Sequence, residues 1–189
     1  MSGRNSAALA LLAAVLMATP AAAGQRPESR QQELDRLYKS LKTAPNEQAA
    51  AALEARIRAV WIKQGSPAAV MLLSRGDRDL QGGAAGEAVA DFDAVLVLEP
   101  EYAEGFNRRA AARAALGDYA GAVADIQQVL ARDPRHFSAL QGLSLLAEQQ
   151  GDWKGALAAW QKALDIDPRT PGGLKRLEML QDKVDGQAT

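Results

Sequence analysis

Apolar residues recur every three to four positions along most of the chain, and Gly or Pro interrupts them at regular intervals. Between residues 119 and 132 the apolar positions are Ala122, Val123, Ile126, Val129 and Leu130. This spacing places them on one face of a helix. The helix ends at Asp133, because the following Pro disfavours helical geometry in the residue before it. A helix-forming segment at 104–116 precedes it, and Gly117-Asp118 forms the turn between the two.

The same pattern returns with a period of 34 residues. Five sets of positions share this period: Pro100, Pro134 and Pro168; Gly83, Gly117 and Gly151; Ala88, Ala122 and Ala156; Phe92, Ile126 and Trp160; Leu96, Leu130 and Leu164. Their agreement over three copies predicts three repeats of two helices, at 69–102, 103–136 and 137–170. The small Ala position lets two helices approach closely, and the large position four residues later fills the layer between repeats.

Period, small position, large apolar position and Pro together resemble the tetratricopeptide repeat (TPR) family over residues 69–170. The second helices match best, whereas Leu72, Phe106 and Leu140 stand where the family has its leading Trp. The resemblance implies an all-α fold, a TPR α-solenoid of antiparallel helix pairs. In such a fold the first helix of each pair lines a concave groove that binds an extended peptide or a helix of another protein.

Both flanks of the repeats carry helical patterns of their own. Upstream, one stripe contains Leu34, Leu37, Tyr38 and Leu41, and a second contains Leu53, Ile57, Val60 and Trp61. We interpret 24–67 as a degenerate TPR-like hairpin packed on the first repeat, with a separate pair of interaction helices as the alternative. Downstream, leucines at i+3 spacing predict a single capping helix at 171–185, which would bury Trp160 against the third repeat.

The first residues have the order of a secretory signal peptide. Arg4 supplies a positive charge, residues 7–18 are continuously apolar, and Ala21 to Ala23 follow a Thr-Pro break. We therefore expect residues 1–23 to be a signal peptide, with cleavage after Ala23 and export to a bacterial periplasm. A retained membrane anchor and a short N-terminal helix are the alternatives, although the apolar run is shorter than the roughly 20 residues of a membrane span.

Composition narrows the possible chemistry. The chain has 22 Lys and Arg against 23 Asp and Glu, for a formal net charge of -1. This balance lacks the basic surface of a nucleic-acid-binding protein. There is no cysteine and a single histidine, so thiolate metal sites and a Cys nucleophile are excluded. We expect no metal, no cofactor and no enzymatic activity.

The isolated candidates for chemistry have simpler explanations. We interpret His136, which follows Pro134 at a repeat boundary, as a helix-start or packing residue rather than a catalytic base. The segment 82–86 is Gly-rich but follows a helix and lacks Lys, so it is a repeat turn and not a phosphate loop. Asp165 and Asp167 are expected to be a charged helix end rather than a cation site.

The resemblance also implies which residues would contact a protein partner. The candidate groove residues are Leu73, Asp77 and Leu80 in the first repeat, Glu104, Asn107 and Arg108 in the second, and Ser138, Gln141 and Glu148 in the third. We expect Asn107, Arg108 and Gln141 to project from the concave face with little structural role. The many alanines of 110–115 predict a shallow, smooth surface.

Two further aspects of partner binding follow from the same positions. The TPR subgroup that binds a C-terminal carboxylate uses Lys and Asn, where this chain has Leu73, Asp77, Arg108, Ser138 and Gly142. We therefore do not expect carboxylate capture. No membrane contact is expected after cleavage. There are two alternatives to partner binding in the periplasm. The protein could form homo-oligomers as a self-assembling subunit of a cell-envelope complex, or it could be a membrane-tethered TPR protein with an uncleaved anchor.

Finally, two charged positions change together between repeats. Arg75 and Arg109 occupy one repeat position, and Asp91 and Asp125 occupy another, sixteen residues later. In the third repeat both positions are apolar. Because an Arg in a packed position needs a carboxylate partner, we hypothesise Arg75–Asp91 and Arg109–Asp125 ion pairs across each helix pair.

Overall fold

The computed structural model describes residues 29–186, which form nine α-helices and no β-strand. The helices are α1 Arg30–Lys42, α2 Glu47–Ile62, α3 Pro67–Gln81, α4 Ala85–Leu98, α5 Ala103–Ala115, α6 Tyr119–Arg132, α7 Phe137–Gln149, α8 Trp153–Ile166 and α9 Gly173–Gly186. The expected all-α solenoid is confirmed. The signal peptide predicted at 1–23 lies outside the described residues.

Three helix pairs, α3–α4, α5–α6 and α7–α8, follow one another along the solenoid, and the helices of each pair pack against each other. The turns within the pairs contain Gly83, Gly117 and Gly151, with φ of 82°, 79° and 74°. A side chain is strained in this left-handed region, so glycine is required there. This requirement explains why glycine recurs with the 34-residue period.

Small residues allow the paired helices to approach closely. Ala88, Ala122 and Ala156 are all fully buried, as the sequence pattern predicts. At Gly76 in α3, an added Cβ would lie 2.6 Å from Phe92 Cε1 in α4. Even an alanine at position 76 would therefore displace the Phe92 ring.

The last helix, α9, closes the C-terminal end of the solenoid. Trp160 of α8 is buried beside Leu180 of α9, and its indole Nε1 donates a hydrogen bond of 2.9 Å to the carbonyl of Gly173. The guanidinium of Arg176 lies 5.0 Å above the Trp160 ring. The predicted burial of Trp160 between the third repeat and a closing helix is confirmed.

The hairpin α1–α2 packs on the first repeat, as the sequence analysis expected, only at the end of α2, where Ile62 joins the core of that repeat. It lies along one edge of the solenoid, across the loops that join one repeat to the next. The two ends of α2 show its direction. Near its C-terminus, the carbonyl of Ile62 accepts a 2.9 Å hydrogen bond from the Tyr102 hydroxyl. At its N-terminus, Glu47 accepts a 3.4 Å hydrogen bond from the backbone N–H of Gly172, after the third repeat. In the middle of α2, Glu54 accepts one of 2.9 Å from Thr170.

Helix α1 also contacts this edge of the solenoid. The Tyr38 hydroxyl donates to Asp133 at 2.9 Å, and Arg135 pairs with Asp35 at 2.7 Å. The buried side chains of the hairpin share a core with Phe137 and with Ile166 of α8. The hairpin thus contacts the loops at 99–102, 133–136 and 167–172.

The first repeat offers a poor surface for stacking, which explains this placement. Its outer face carries Met71, which is exposed, at the repeat position of buried Gly105. Arg78, also exposed, stands at the repeat position of buried Ala112. An apolar hairpin would have to bury a guanidinium there without a partner, at a large desolvation cost.

Both hypothesised ion pairs are confirmed. Arg75 Nε donates to Asp91 Oδ2 at 2.6 Å, with a second contact between the guanidinium and Asp91 Oδ1. Arg109 donates to both oxygens of Asp125, at 2.9 and 2.6 Å. Arg109 also reaches Asp93 of the preceding repeat at 2.6 Å, so it links two repeats. Its side chain is 16% exposed, against 56% for Arg75, which has no preceding repeat to cover it.

We predict that Arg109→Leu lowers the free energy of unfolding by about 3 kcal/mol, because buried Asp125 loses the guanidinium that bonds to both of its oxygens and keeps only the single bond from Arg113. The double variant Arg109→Leu with Asp125→Ala copies the apolar pair of the third repeat. It should recover most of the loss, since apolar residues often replace a buried ion pair without cost. Urea unfolding of the two single variants and the double variant checks this. Additive losses would show that the two residues do not interact.

Candidate functional site

A cavity of about 530 Å³ opens between the first helices of the second and third repeats, α5 and α7. Its lining residues are Asn107, Arg108, Ala110, Ala111, Ala114, Tyr119, Ile126, Ser138, Gly142, Leu145, Leu146 and Gln149. We call this cavity the groove. Its volume lies within the range of about 300–1,000 Å³ that is usual for ligand sites.

Small residues create the depth of this groove. Ala111, Ala114 and Gly142 have little or no side chain, and buried Ile126 of α6 lines the groove between α5 and α7. The expectation of a shallow, smooth surface is therefore wrong. Small side chains on facing helices do not fill the space between them, so a cavity remains.

The candidate residues of the sequence analysis fall into three groups. Asn107, Arg108 and Ser138 line the groove. Gln141 lines a neighbouring depression between α7 and α9, where its amide donates to Thr170 at 3.3 Å. Glu148 pairs with Arg176 of α9 at 2.7 Å.

The remaining candidates lie away from the groove surface. Leu73 is 1% exposed and belongs to the core of the first repeat, and Leu80 packs against the same core. Asp77 is half-buried and pairs with Arg108 at 3.5 Å. Leu73 was expected at the groove because it falls on the first-helix position that faces the groove in the resembled family, but here α3 turns this side chain inward.

Glu104 is the clearest correction, since it is 2% exposed and not available to a partner. Its Oε1 accepts from Arg108 Nε at 2.8 Å, and its Oε2 lies 3.2 Å from His136 Nε2. Burial alone would raise the pKa of Glu104. The hydrogen bond from His136, together with the charge and hydrogen bond of Arg108, outweighs it and holds the pKa below its usual range.

His136 connects this carboxylate to the hairpin. Its Nδ1 accepts a 3.2 Å hydrogen bond from the backbone N–H of Ala139, which caps α7. On its other side, the ring of Trp61 stacks flat on the imidazole, with centroids 3.7 Å apart and planes 9° apart. The interpretation of His136 as a helix-start and packing residue is confirmed.

Arg108 has a structural role, contrary to the expectation that it projects freely. It bonds to buried Glu104 on its own helix and reaches Asp77 on α3. Through this one guanidinium the first and second repeats are joined beneath the groove. Charge reversal at position 108 would face two carboxylates and leave Glu104 short of a partner.

The sequence analysis also missed a pair of buried carboxyl groups between the hairpin and the third repeat. Glu54 is 5% exposed and Asp167 is 1% exposed. Glu54 accepts from Arg58 at 2.7 Å and from Thr170. Asp167 Oδ1 accepts from the backbone of Arg169 at 3.3 Å, whereas its Oδ2 is buried without a hydrogen-bond donor among the described residues.

This arrangement gives the two acids different pKa values. Burial, reinforced by the neighbouring Glu54, raises the pKa of Asp167 to about 7. Burial would also raise the pKa of Glu54, but the neighbouring Asp167 and the hydrogen bonds from Thr170 and Arg58 bring it below its ordinary value. Of the two neighbouring acids, Asp167 is therefore the one that holds a proton more readily. No local sequence signal marks the pair, because its members lie 113 positions apart.

Across residues 29–186, we find no cluster of three or more His, Asp or Glu side chains arranged to bind a metal ion. In the same range, none of the helices has the length and apolar character needed to span a membrane. The features that remain are the groove and the charged network beneath it.

Comparison with known proteins agrees with this geometry. The model of the tetratricopeptide repeat family matches residues 137–170. A curated TPR repeat-containing protein of Rhizobium etli is 31% identical over 91 residues, which is 48% of this chain. The match spans less than half, 45%, of that relative's own length.

Solved structures show the same fold. The TPR domain of Sgt2 from Aspergillus fumigatus superposes with a TM-score of 0.62 at 25% identity, covering 66% of this chain and 83% of that domain. The first TPR of Spaghetti (RPAP3), bound to the HSP90 peptide SRMEEVD, gives a TM-score of 0.60 at 18% identity, covering 64% and 95%. The fold of the repeats is therefore that of a TPR solenoid.

We predict that stability falls as the pH rises from 5 to 7.5, because Asp167 keeps its proton in the folded state and loses it in the unfolded chain. Glu54, with a lowered pKa, is ionised in both states over this window and does not contribute. Asp167→Asn should flatten the profile, since the amide stays neutral. Urea unfolding at both pH values checks this, and an unchanged slope in Asp167→Asn would contradict it.

Proposed function

We propose that this protein is a non-catalytic scaffold that binds a segment of another protein, either extended or helical, in the groove between α5 and α7. The observation that carries the proposal is the apolar cavity of about 530 Å³ on the surface formed by the first helices of the repeats. The structure of the first TPR of Spaghetti, which has a similar fold, was solved with a peptide bound. This supports peptide binding as a function of a TPR solenoid.

The groove is suited to recognition rather than chemistry. Its charged side chain, Arg108, is held by Glu104 and Asp77, so the lining is preorganised. A surface that is rigid before binding loses less entropy when a partner docks. The hairpin adds to this rigidity because it contacts the loops of successive repeats.

We further propose that the protein acts after export, in a bacterial periplasm. The support is the signal-like order of Arg4, the apolar run at 7–18 and the small residues before Gly24. Self-assembly into a cell-envelope complex and retention of the N-terminal segment as an anchor are the alternatives that the same experiment can detect.

The test is photo-cross-linking in living cells. A photoreactive phenylalanine analogue at Ala111, an exposed position in the groove, should capture a partner protein. The same analogue at Ala158, exposed on α8, is the matched control and should capture none. The intact mass of protein recovered from the periplasm should correspond to a chain that begins at Gly24.

Three results would contradict the proposal. Equal capture at both positions would show that the groove is not the binding surface. Cross-links only to another copy of this chain would favour self-assembly. A recovered mass that includes residues 1–23 would indicate a retained anchor.

A further inference from the structure

The positive charge in the groove is already paired with carboxylates of the protein itself. Among the described residues that line the groove, Arg108 is the one cation, and none is acidic. Glu104 lies 2.8 Å from Arg108 Nε, and Asp77 lies 3.5 Å from Nη1. Two carboxylates therefore face a single guanidinium, and no positive charge is left for an anionic ligand.

The neighbouring helices supply no replacement. Helix α7 contains no Lys or Arg between Phe137 and Gln149. On α5, Arg109 and Arg113 both bond to Asp125 of α6, on the side of the helix pair away from the groove. Arg176 of α9 pairs with Glu148.

The polar groups that remain suit a peptide backbone. Ser138 lines the groove, and its buried hydroxyl has no hydrogen-bond partner among the described residues. On the facing helix, the Asn107 side-chain nitrogen donates to Glu104 at 3.3 Å, which leaves its carbonyl oxygen to accept from a ligand. A buried hydroxyl without a partner is unfavourable, and a peptide N–H or C=O can satisfy it.

We propose that the groove binds an uncharged apolar segment of its protein partner, with small and branched aliphatic side chains, and excludes acidic or carboxylate-terminated peptides. This specifies the partner of the groove assigned above and rests on that assignment. Apolar side chains gain by leaving water for the alanine, isoleucine and leucine lining. A carboxylate would lose its hydration and find Arg108 already neutralised by two acids.

The test compares two synthetic peptides by calorimetry on the chain without its signal segment. One is acetylated and amidated, with Leu and Ala on one helical face and Gln on the other, and carries no charge. The second is the acidic peptide SRMEEVD, which is bound in the Spaghetti structure. We expect the apolar peptide to bind and SRMEEVD to show no detectable binding.

Two variants locate the binding site. Ala111→Asp places a carboxylate in the groove and should weaken binding of the apolar peptide at least tenfold. Ala158→Asp makes the same change on α8, outside the groove, and should leave the affinity unchanged. Both positions are exposed, and thermal melting of the variants verifies that the fold is retained.

Each outcome is decisive. Binding of SRMEEVD overturns the apolar specificity, and so does a lack of binding by both peptides. In either case, photo-cross-linking of a partner at Ala111 would still support the scaffold function. Apolar-peptide binding that Ala111→Asp does not weaken also overturns the apolar specificity, because the site must then lie elsewhere. A dimer that forms with increasing concentration and is lost in Ala111→Asp would assign the groove to a second copy of the chain.

Discussion

The stack of Trp61 on His136 connects the N-terminal hairpin to the repeats. The two rings lie 3.7 Å apart and nearly parallel, one from the hairpin and the other from the start of the third repeat. The edge of the same imidazole meets buried Glu104 of the second repeat, whose charge is shared with Arg108. Arg108 in turn reaches Asp77 of the first repeat. One aromatic contact and one buried carboxylate thus join the hairpin to all three repeats.

This network changes what kind of solenoid the chain forms. In a simple array each repeat contacts only its neighbours, so curvature varies as the interfaces flex. Here the hairpin contacts two successive inter-repeat loops and the loop that follows the third repeat, where Thr170 bonds to Glu54. The repeats that form the groove are thus also linked by contacts outside it.

Much of the fold could be predicted because the repeats can be compared with one another. The turn glycines, the buried Ala122 and the Arg109–Asp125 pair all follow from positions that agree or change together over three copies. The hairpin has no second copy in the chain, so its position could not be inferred in this way. Its contacts with Thr170 and Asp133 are long-range and leave no periodic signal.

The candidate site was predicted less completely, for a related physical reason. Asn107, Arg108 and Ser138 do line the groove, as their helical positions indicate. Glu104 occupies an equivalent first-helix position, but it is buried beside His136, on which Trp61 of the hairpin stacks. Whether a polar side chain is exposed depends on what packs over it, and here that element lies about 40 residues away in sequence.

The central claim is that the hairpin lies along the loops rather than on the first repeat, and cross-linking tests it most directly. Because the chain contains no cysteine, Asp35→Cys can be paired with Arg135→Cys or with Arg75→Cys and treated with a short bismaleimide. The account predicts an intramolecular cross-link in the first pair, whose native side chains meet at 2.7 Å, and none in the second. A cross-link only between positions 35 and 75 would place the hairpin on the first repeat and contradict the account.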